Sequence, residues 1–141
     1  MSRLFILLLL LGFLLPSESF AETVNWNKLV QREGTFYKKF SDIPFTGMVK
    51  GMHQGKLNEG KWDGPYKELY RRAGELNVMR KGAYKDGKKE GVWVEFWSNG
   101  QLFEKGSYKN GKKEGRFVFF DRSGRKDPKS GTYRNGKRVR D

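Results

Sequence analysis

No cysteine occurs anywhere in the 141 residues, so neither a disulfide framework nor a thiolate nucleophile is open to this chain. Its stability must come from strand pairing and aromatic burial. Histidine occurs once, as His53. With a single histidine and no thiol, neither a zinc site nor a Cys/His or Ser/His/Asp nucleophile system assembles convincingly. His53 therefore reads as structural or solvent-exposed, an enzyme is not the expected class, and no cofactor is implied. Acidic residues are also scarce, 16 Asp and Glu against 29 Lys and Arg, which leaves a formal net charge of +13. Such a surface attracts anionic partners over distances that shrink with salt: nucleic acid, acidic headgroups, anionic cell-wall polymers or acidic proteins. The bland reading of the same charge is a solvated rim that keeps a sticky sheet soluble.

Long apolar runs are missing too, except at the start. Met1-Ser2-Arg3 leads into an unbroken apolar stretch from Leu4 to Leu15, followed by Pro16-Ser17-Glu18 and then Ser19-Phe20-Ala21. A charged start, a short apolar core and small residues before a cut after Ala21 make residues 1–21 a helical secretory signal peptide. The alternative is an anchor left uncleaved at residues 4–15, although that run is short for a bilayer. Cleavage would remove Arg3 and Glu18 together and leave +13 unchanged. Export in turn argues against nucleic acid as the partner. It leaves the periplasm, the cell envelope or the medium.

What the chain does have is repetition. Lys81-Gly82-Ala83-Tyr84-Lys85-Asp86-Gly87-Lys88-Lys89-Glu90-Gly91 returns, barely altered, as Lys105-Gly106-Ser107-Tyr108-Lys109-Asn110-Gly111-Lys112-Lys113-Glu114-Gly115. A fixed period of this size marks a repeat architecture, in which each unit buries its apolar face only against its neighbours. The units are 55–80, which is diverged, then 81–104, 105–129 and a truncated 130–141, with 22–54 as an atypical N-terminal cap of strands.

Asn99-Gly100 and Asn110-Gly111 sit between apolar runs, and Asn-Gly is the strongest short-range hairpin signal. Two-residue turns at both sites would set Trp97 against Leu102, Trp93 against Gly106, and Gly106 against Gly115. Alternation then places Trp93, Trp97, Leu102, Tyr108, Phe117 and Phe119 on one face. Val92, Val94, Phe96, Phe103, Val118 and Phe120 fall on the other. The expected fold is all-β: a single, extended, twisted antiparallel sheet, a meander of stacked hairpins.

Two groups of side chains are candidates for contact. Trp93, Trp97, Tyr108, Phe117 and Phe119 are the right types for a protein hot spot or for stacking on sugars, with core packing as the default role for such rings. Lys85, Lys88, Lys89, Lys109, Lys112 and Lys113, continued by Arg134, Lys137 and Arg138, would form a basic stripe along one edge. Glu95 and Glu104 fall opposite each other, and such a pair suits acid/base work only if Lys88 or Lys105 does not neutralise it. The Gly-rich turns lack the strand–loop–helix setting of a phosphate cradle.

The pattern Asn/Asp-Gly-Lys-Lys-Glu-Gly-x-Trp/Phe-x-x-Phe, best matched at 81–105 and 105–124, resembles the bacterial variant of the MORN repeat. The segment from Phe36 to Gly47 resembles the leader of small bacterial MORN-variant proteins, many of which are labelled YwqK-like antitoxins. Phe117 stands where Trp is more usual, and Asp127-Pro128 interrupts a strand. The resemblance implies stacked hairpins and, elsewhere in the family, phospholipid contact, dimerisation and partner scaffolding. Taken together, the expectation is a non-enzymatic exported protein-interaction or scaffold module. The alternatives are an antitoxin-like immunity protein and a peripheral binder of anionic lipid or cell-wall polymer.

Overall fold

The computed structural model describes residues 21–139, so the expected signal segment, save Ala21, and the alternative anchor at 4–15 lie outside the described residues. Twelve strands follow in order. They are β1 (Thr23–Asn25), β2 (Leu29–Arg32), β3 (Thr35–Lys38), β4 (Gly47–Lys50), β5 (His53–Asn58) and β6 (Lys61–Arg72). Then come β7 (Glu75–Lys85), β8 (Lys88–Phe96), β9 (Leu102–Lys109), β10 (Lys112–Phe119), β11 (Gly131–Arg134) and β12 (Lys137–Arg138). From β4 to β12 each strand pairs with the next, antiparallel throughout, which is the expected meander of hairpins.

The N-terminal end differs in two details from one antiparallel sheet. β1 joins the edge of β4 in parallel, so the ten-stranded sheet is mixed, and β2–β3 form a separate two-stranded hairpin. That hairpin closes over the start of the meander: Phe36 N donates to Gly60 O, and Phe45 N to Phe36 O. Val24, Leu29, Phe36, Phe45, Val49, Leu57 and Trp62 are buried beneath it in one cluster.

Six turns have consecutive positive-φ residues, the signature of the type I′ hairpin. Asp86-Gly87, Asn110-Gly111 and Asn135-Gly136 use favoured residues, whereas Glu33, Glu59 and Ala73 adopt φ near +48° without that preference. Asn99-Gly100 is different. Only Gly100 has positive φ, Gly100 N donates to Trp97 O, and Asn99 Oδ1 accepts from Gln101 N. This is a three-residue loop closed by a left-handed glycine, and it corrects the expected two-residue turn.

Bulges correct the expected register. Trp93 does oppose Gly106, but Leu102 pairs with Phe96, which leaves Phe103 as the extra residue on β9. Directly opposed residues share a face. Leu102 therefore lies with Phe96 on one face, while Phe103 packs against Trp97, centroids 4.3 Å apart, on the other, the reverse of simple alternation. Gly106 does not pair with Gly115. Glu114 opposes Ser107 and Val118 opposes Lys105, so Gly115 and Arg116 bulge and Phe117 arrives over Gly106. The same bulge stands at Gly91-Val92 facing β7, and the glycine that ends each Lys-Lys-Glu-Gly motif supplies its left-handed residue, at φ +67° and +79°.

Candidate functional site

Pairing sorts the central side chains onto two unlike faces. On the first, a row of alternating rings and glycines crosses the sheet: Tyr66 opposes Gly55 and Gly82, Trp93 opposes Gly106, and Phe117 opposes Gly131. A Cβ on Gly82 would stand 2.4 Å from the Trp93 ring, and one on Gly106 2.4 Å from Phe117. Tyrosines interleave to complete an edge-to-face ladder. Tyr66–Tyr84 centroids are 5.1 Å apart, Tyr84–Trp93 4.9 Å, Trp93–Tyr108 6.4 Å, Tyr108–Phe117 5.3 Å and Phe117–Tyr133 5.4 Å. Each such pair is worth about 0.5–1.5 kcal/mol beyond the area it buries.

The rings are roofed by cations. Lys89 Nζ lies 4.3 Å from the Trp93 centroid, and Lys113 Nζ lies 4.2 Å from Phe119 and 4.7 Å from Phe117. Those ammonium groups also close ion pairs, Lys89–Glu95 at 2.8 Å and Lys113–Glu104 at 2.9 Å. Arg80 Nε is 2.8 Å from Glu68 Oε2, an ion-pair contact without hydrogen-bond alignment, and Arg80 Nη1 lies 3.8 Å from Glu95. Glu95 and Glu104 are cross-strand partners as expected, but Lys89 and Lys113 neutralise them, not Lys88 or Lys105. Glu104 is buried and also accepts from Tyr108 Oη at 3.1 Å, which completes its hydrogen bonding. These carboxylates are occupied as structural counter-ions.

The sequence-chosen aromatic residues take largely the packing role that is the default for such rings. Trp93 and Phe117 have no exposed surface, and Phe119 is buried with them. Tyr108 and Trp97 are half-buried, the latter donating from Nε1 to Phe120 O at 3.0 Å. These side chains are the core of a one-layer sheet, built from its own aromatic face. The basic stripe divides too. Lys85, Lys88, Lys109, Lys112, Arg134 and Lys137 are exposed on the second face, flanking the turns. Lys89 and Lys113 turn inward, and Arg138 lies over Gly131 beside Tyr133.

His53 sits at the N-terminal end of the aromatic ladder, its ring centroid 4.0 Å from that of Trp26 and tilted 43° to it, with Nδ1 2.7 Å from Tyr66 Oη. Tyr66 Oη approaches Glu68 Oε2 at 3.3 Å. Burial pushes the His53 pKa down, and Arg80 adds to that against the pull of Glu68. A depressed folded value means that the unfolded chain binds more protons below pH 6.5, so stability present above that pH is lost as pH falls. The urea midpoint is expected to drop between pH 7.5 and pH 5, and His53→Gln is expected to flatten that drop. Burial raises Tyr66 and Tyr108 beyond the usual phenol range, with Glu68 and Glu104 contributing. Their share of stability is complete below pH 10 and is lost above it.

The most exposed large apolar residues lie elsewhere. Phe40 is fully exposed and Ile43 is 78% exposed, within the β3–β4 loop. Phe40 holds φ +65°, a conformation costly for a bulky residue. The loop around it is braced: Arg32 Nη1 donates to Asp42 Oδ1 at 2.8 Å and Nη2 donates to Ser41 O. Arg32 also lies 4.1 Å from the centre of the Tyr37 ring, and Ile43 N donates to Ser41 Oγ. Sequence reasoning passed over this tip, although two apolar residues flanking a Ser-Asp turn before Pro44 were a visible signal. Among the described residues no helix is long and apolar enough to cross a membrane, and no cluster of three His, Asp or Glu gathers to hold a metal.

No protein-family model matches the chain, and no curated protein matches it either.

Proposed function

We propose that the protein is a non-enzymatic interaction module, exported to the cell envelope and related to the bacterial MORN-variant repeat proteins, whose partner is another protein. The observation that carries this reading is the Phe40–Ile43 tip. Folding leaves two large apolar side chains in water on a braced loop, one of them in a strained backbone conformation. Neither expense benefits the isolated chain. A pre-organised aromatic anchor is what a protein hot spot requires. The ion-paired carboxylates and the closed aromatic face support a non-catalytic role.

The test exploits the strain. Phe40→Gly removes the ring and relieves the left-handed penalty, so it is expected to stabilise the fold by about 0.5–1 kcal/mol. The same change is expected to abolish capture of a partner by a photo-crosslinker placed at Ile43 in cells. One dominant crosslinked protein, lost in Phe40→Gly, supports the module. Toxin character in that protein would select the antitoxin-like form of the proposal. A Phe40→Gly variant that is destabilised and still captures the same protein would refute the hot-spot reading.

A further inference from the structure

The lysine face carries a second feature, at the edge formed by the turns Asp86-Gly87, Asn110-Gly111 and Asn135-Gly136. These turns stack one on the next through hydrogen bonds that repeat with the sequence. Gly111 N donates to Lys89 O and Gly136 N to Lys113 O, both at 2.9 Å. Glu90 Oε2 accepts from Asn110 N and Glu114 Oε2 from Asn135 N, again both at 2.9 Å. The two glutamates of this edge are thus engaged with backbone amides.

At each turn, like charges face each other directly: Lys85 opposes Lys88, Lys109 opposes Lys112, and Arg134 opposes Lys137. Like charges in register across an antiparallel pair are destabilising. The arrangement nevertheless occurs three times in line. Successive pairs are two strands apart, about 9–10 Å, and their side-chain stems are set by the turn stack. Lys88 Cβ lies 3.7 Å from where a Cβ on Gly111 would stand, and Lys112 Cβ 3.8 Å from the equivalent point on Gly136. A depression of about 340 Å³ lined by Lys109, Asn110, Lys112, Glu114 and Asn135 lies between the second and third turns.

We infer that this edge binds an extended anionic polysaccharide, laid along the turns with its acid groups between the cation pairs. The occupant is linear because the charges are collinear and evenly spaced, whereas a folded protein rarely presents acids that way. The pair spacing is close to the length of a disaccharide unit. Exposed Asn110 and Asn135 at the turn tips supply amides suited to sugar hydroxyls. No large apolar side chain stands among the turn residues, so the edge lacks both the anchor of a protein hot spot and the wedge of a bilayer-inserting surface. The inference is independent of the Phe40 tip, which lies on a different loop.

The probe is a series of galacturonate oligomers of defined length, measured by calorimetry against residues 22–141. Affinity is expected to rise with length until the oligomer spans the three pairs, about 20 Å, and then to level. Neutralising Lys85, Lys88, Lys109 and Lys112 to Gln is expected to weaken binding by about tenfold or more and to flatten the salt dependence. A control removes the same four charges from exposed positions elsewhere, Lys28, Lys39, Lys126 and Lys129 to Gln, and is expected to stay within about twofold. Equal losses in both variants would mean that net charge alone binds and would overturn the inference. So would binding that ignores length, polyphosphate of equal charge binding as tightly, or anionic vesicles binding where the oligomers do not.

Discussion

Replacing Trp93 by alanine is expected to lower the unfolding free energy by about 4 kcal/mol, a large part of what a domain of this size possesses. The indole has no exposed surface, covers the backbone at Gly82 and meets Tyr66, Tyr84 and Tyr108. Its Nε1 donates to Ala83 O at 3.0 Å, so truncation also orphans a carbonyl. In a quasi-linear array each unit leans only on its neighbours, and the void would uncouple β9–β12 from the capped N-terminal half. Urea unfolding followed by tryptophan fluorescence and by far-UV dichroism should then cease to coincide. Trp97→Ala is the comparison. That ring is half-buried and is expected to cost about 1–2 kcal/mol. Gly82→Ala supplies the reciprocal probe. Its new methyl would stand 2.4 Å from the indole in the wild type, an overpacking cost of about 1–3 kcal/mol, yet it should be nearly harmless once Trp93 is alanine. Equal costs in both backgrounds would show that the ring does not set the glycine requirement.

That glycine requirement was legible in the sequence, and it shows what kind of information a single chain carries. Asn110-Gly111 announces its hairpin because both turn residues need positive φ. The opposition of Trp93 to Gly106, counted from Asn99-Gly100, holds because the extra residue of that loop and the inserted Phe103 offset each other. Counting failed where a bulge was not offset in this way. Gly115 is not a second flat glycine under a ring but the left-handed residue of a bulge, and nothing in the local string distinguishes the two uses. The inserted residue at Phe103 exchanged the faces of Leu102 and Phe103 for the same reason. The turns at Glu33, Glu59 and Ala73 are carried by the glycine that follows each of them, with the neighbouring strands overriding the residue's own preference.

The candidate site was less legible than the fold. Aromatic residues of the right type were candidates for a contact face with core packing as their default role, and a one-layer sheet folded this way uses them as its interior, with lysine as the roof. Lys88 and Lys89 are neighbours of the same type, and only the register sends one to the exposed edge and the other 2.8 Å from Glu95. Phe40 and Ile43 escaped notice because exposure is a tertiary property: the same residues in a strand would be core. Their loop is held open by Arg32, distant in sequence, through Asp42 and the carbonyl of Ser41.

The roof itself yields the second large effect. Lys113→Met keeps an apolar stem over Phe117 and Phe119 but removes the ammonium from Glu104, whose side chain is only 7% exposed. An uncompensated carboxylate left at that depth is expected to cost about 3 kcal/mol at pH 7, toward the lower end for broken buried pairs because Lys113 itself is partly solvated. The tyrosine that donates to the same carboxylate cannot replace the charge. Joining Glu104→Leu to Lys113→Met replaces the pair by apolar volume against Phe117 and Phe119. It should restore most of the stability, giving a coupling energy of about 2 kcal/mol in the double-mutant cycle. A Lys113→Met chain as stable as the wild type, or a double variant no better than the single, would mean that Glu104 finds water in the folded sheet. The aromatic face would then be open to solvent, and its rings would return to candidacy as a contact surface.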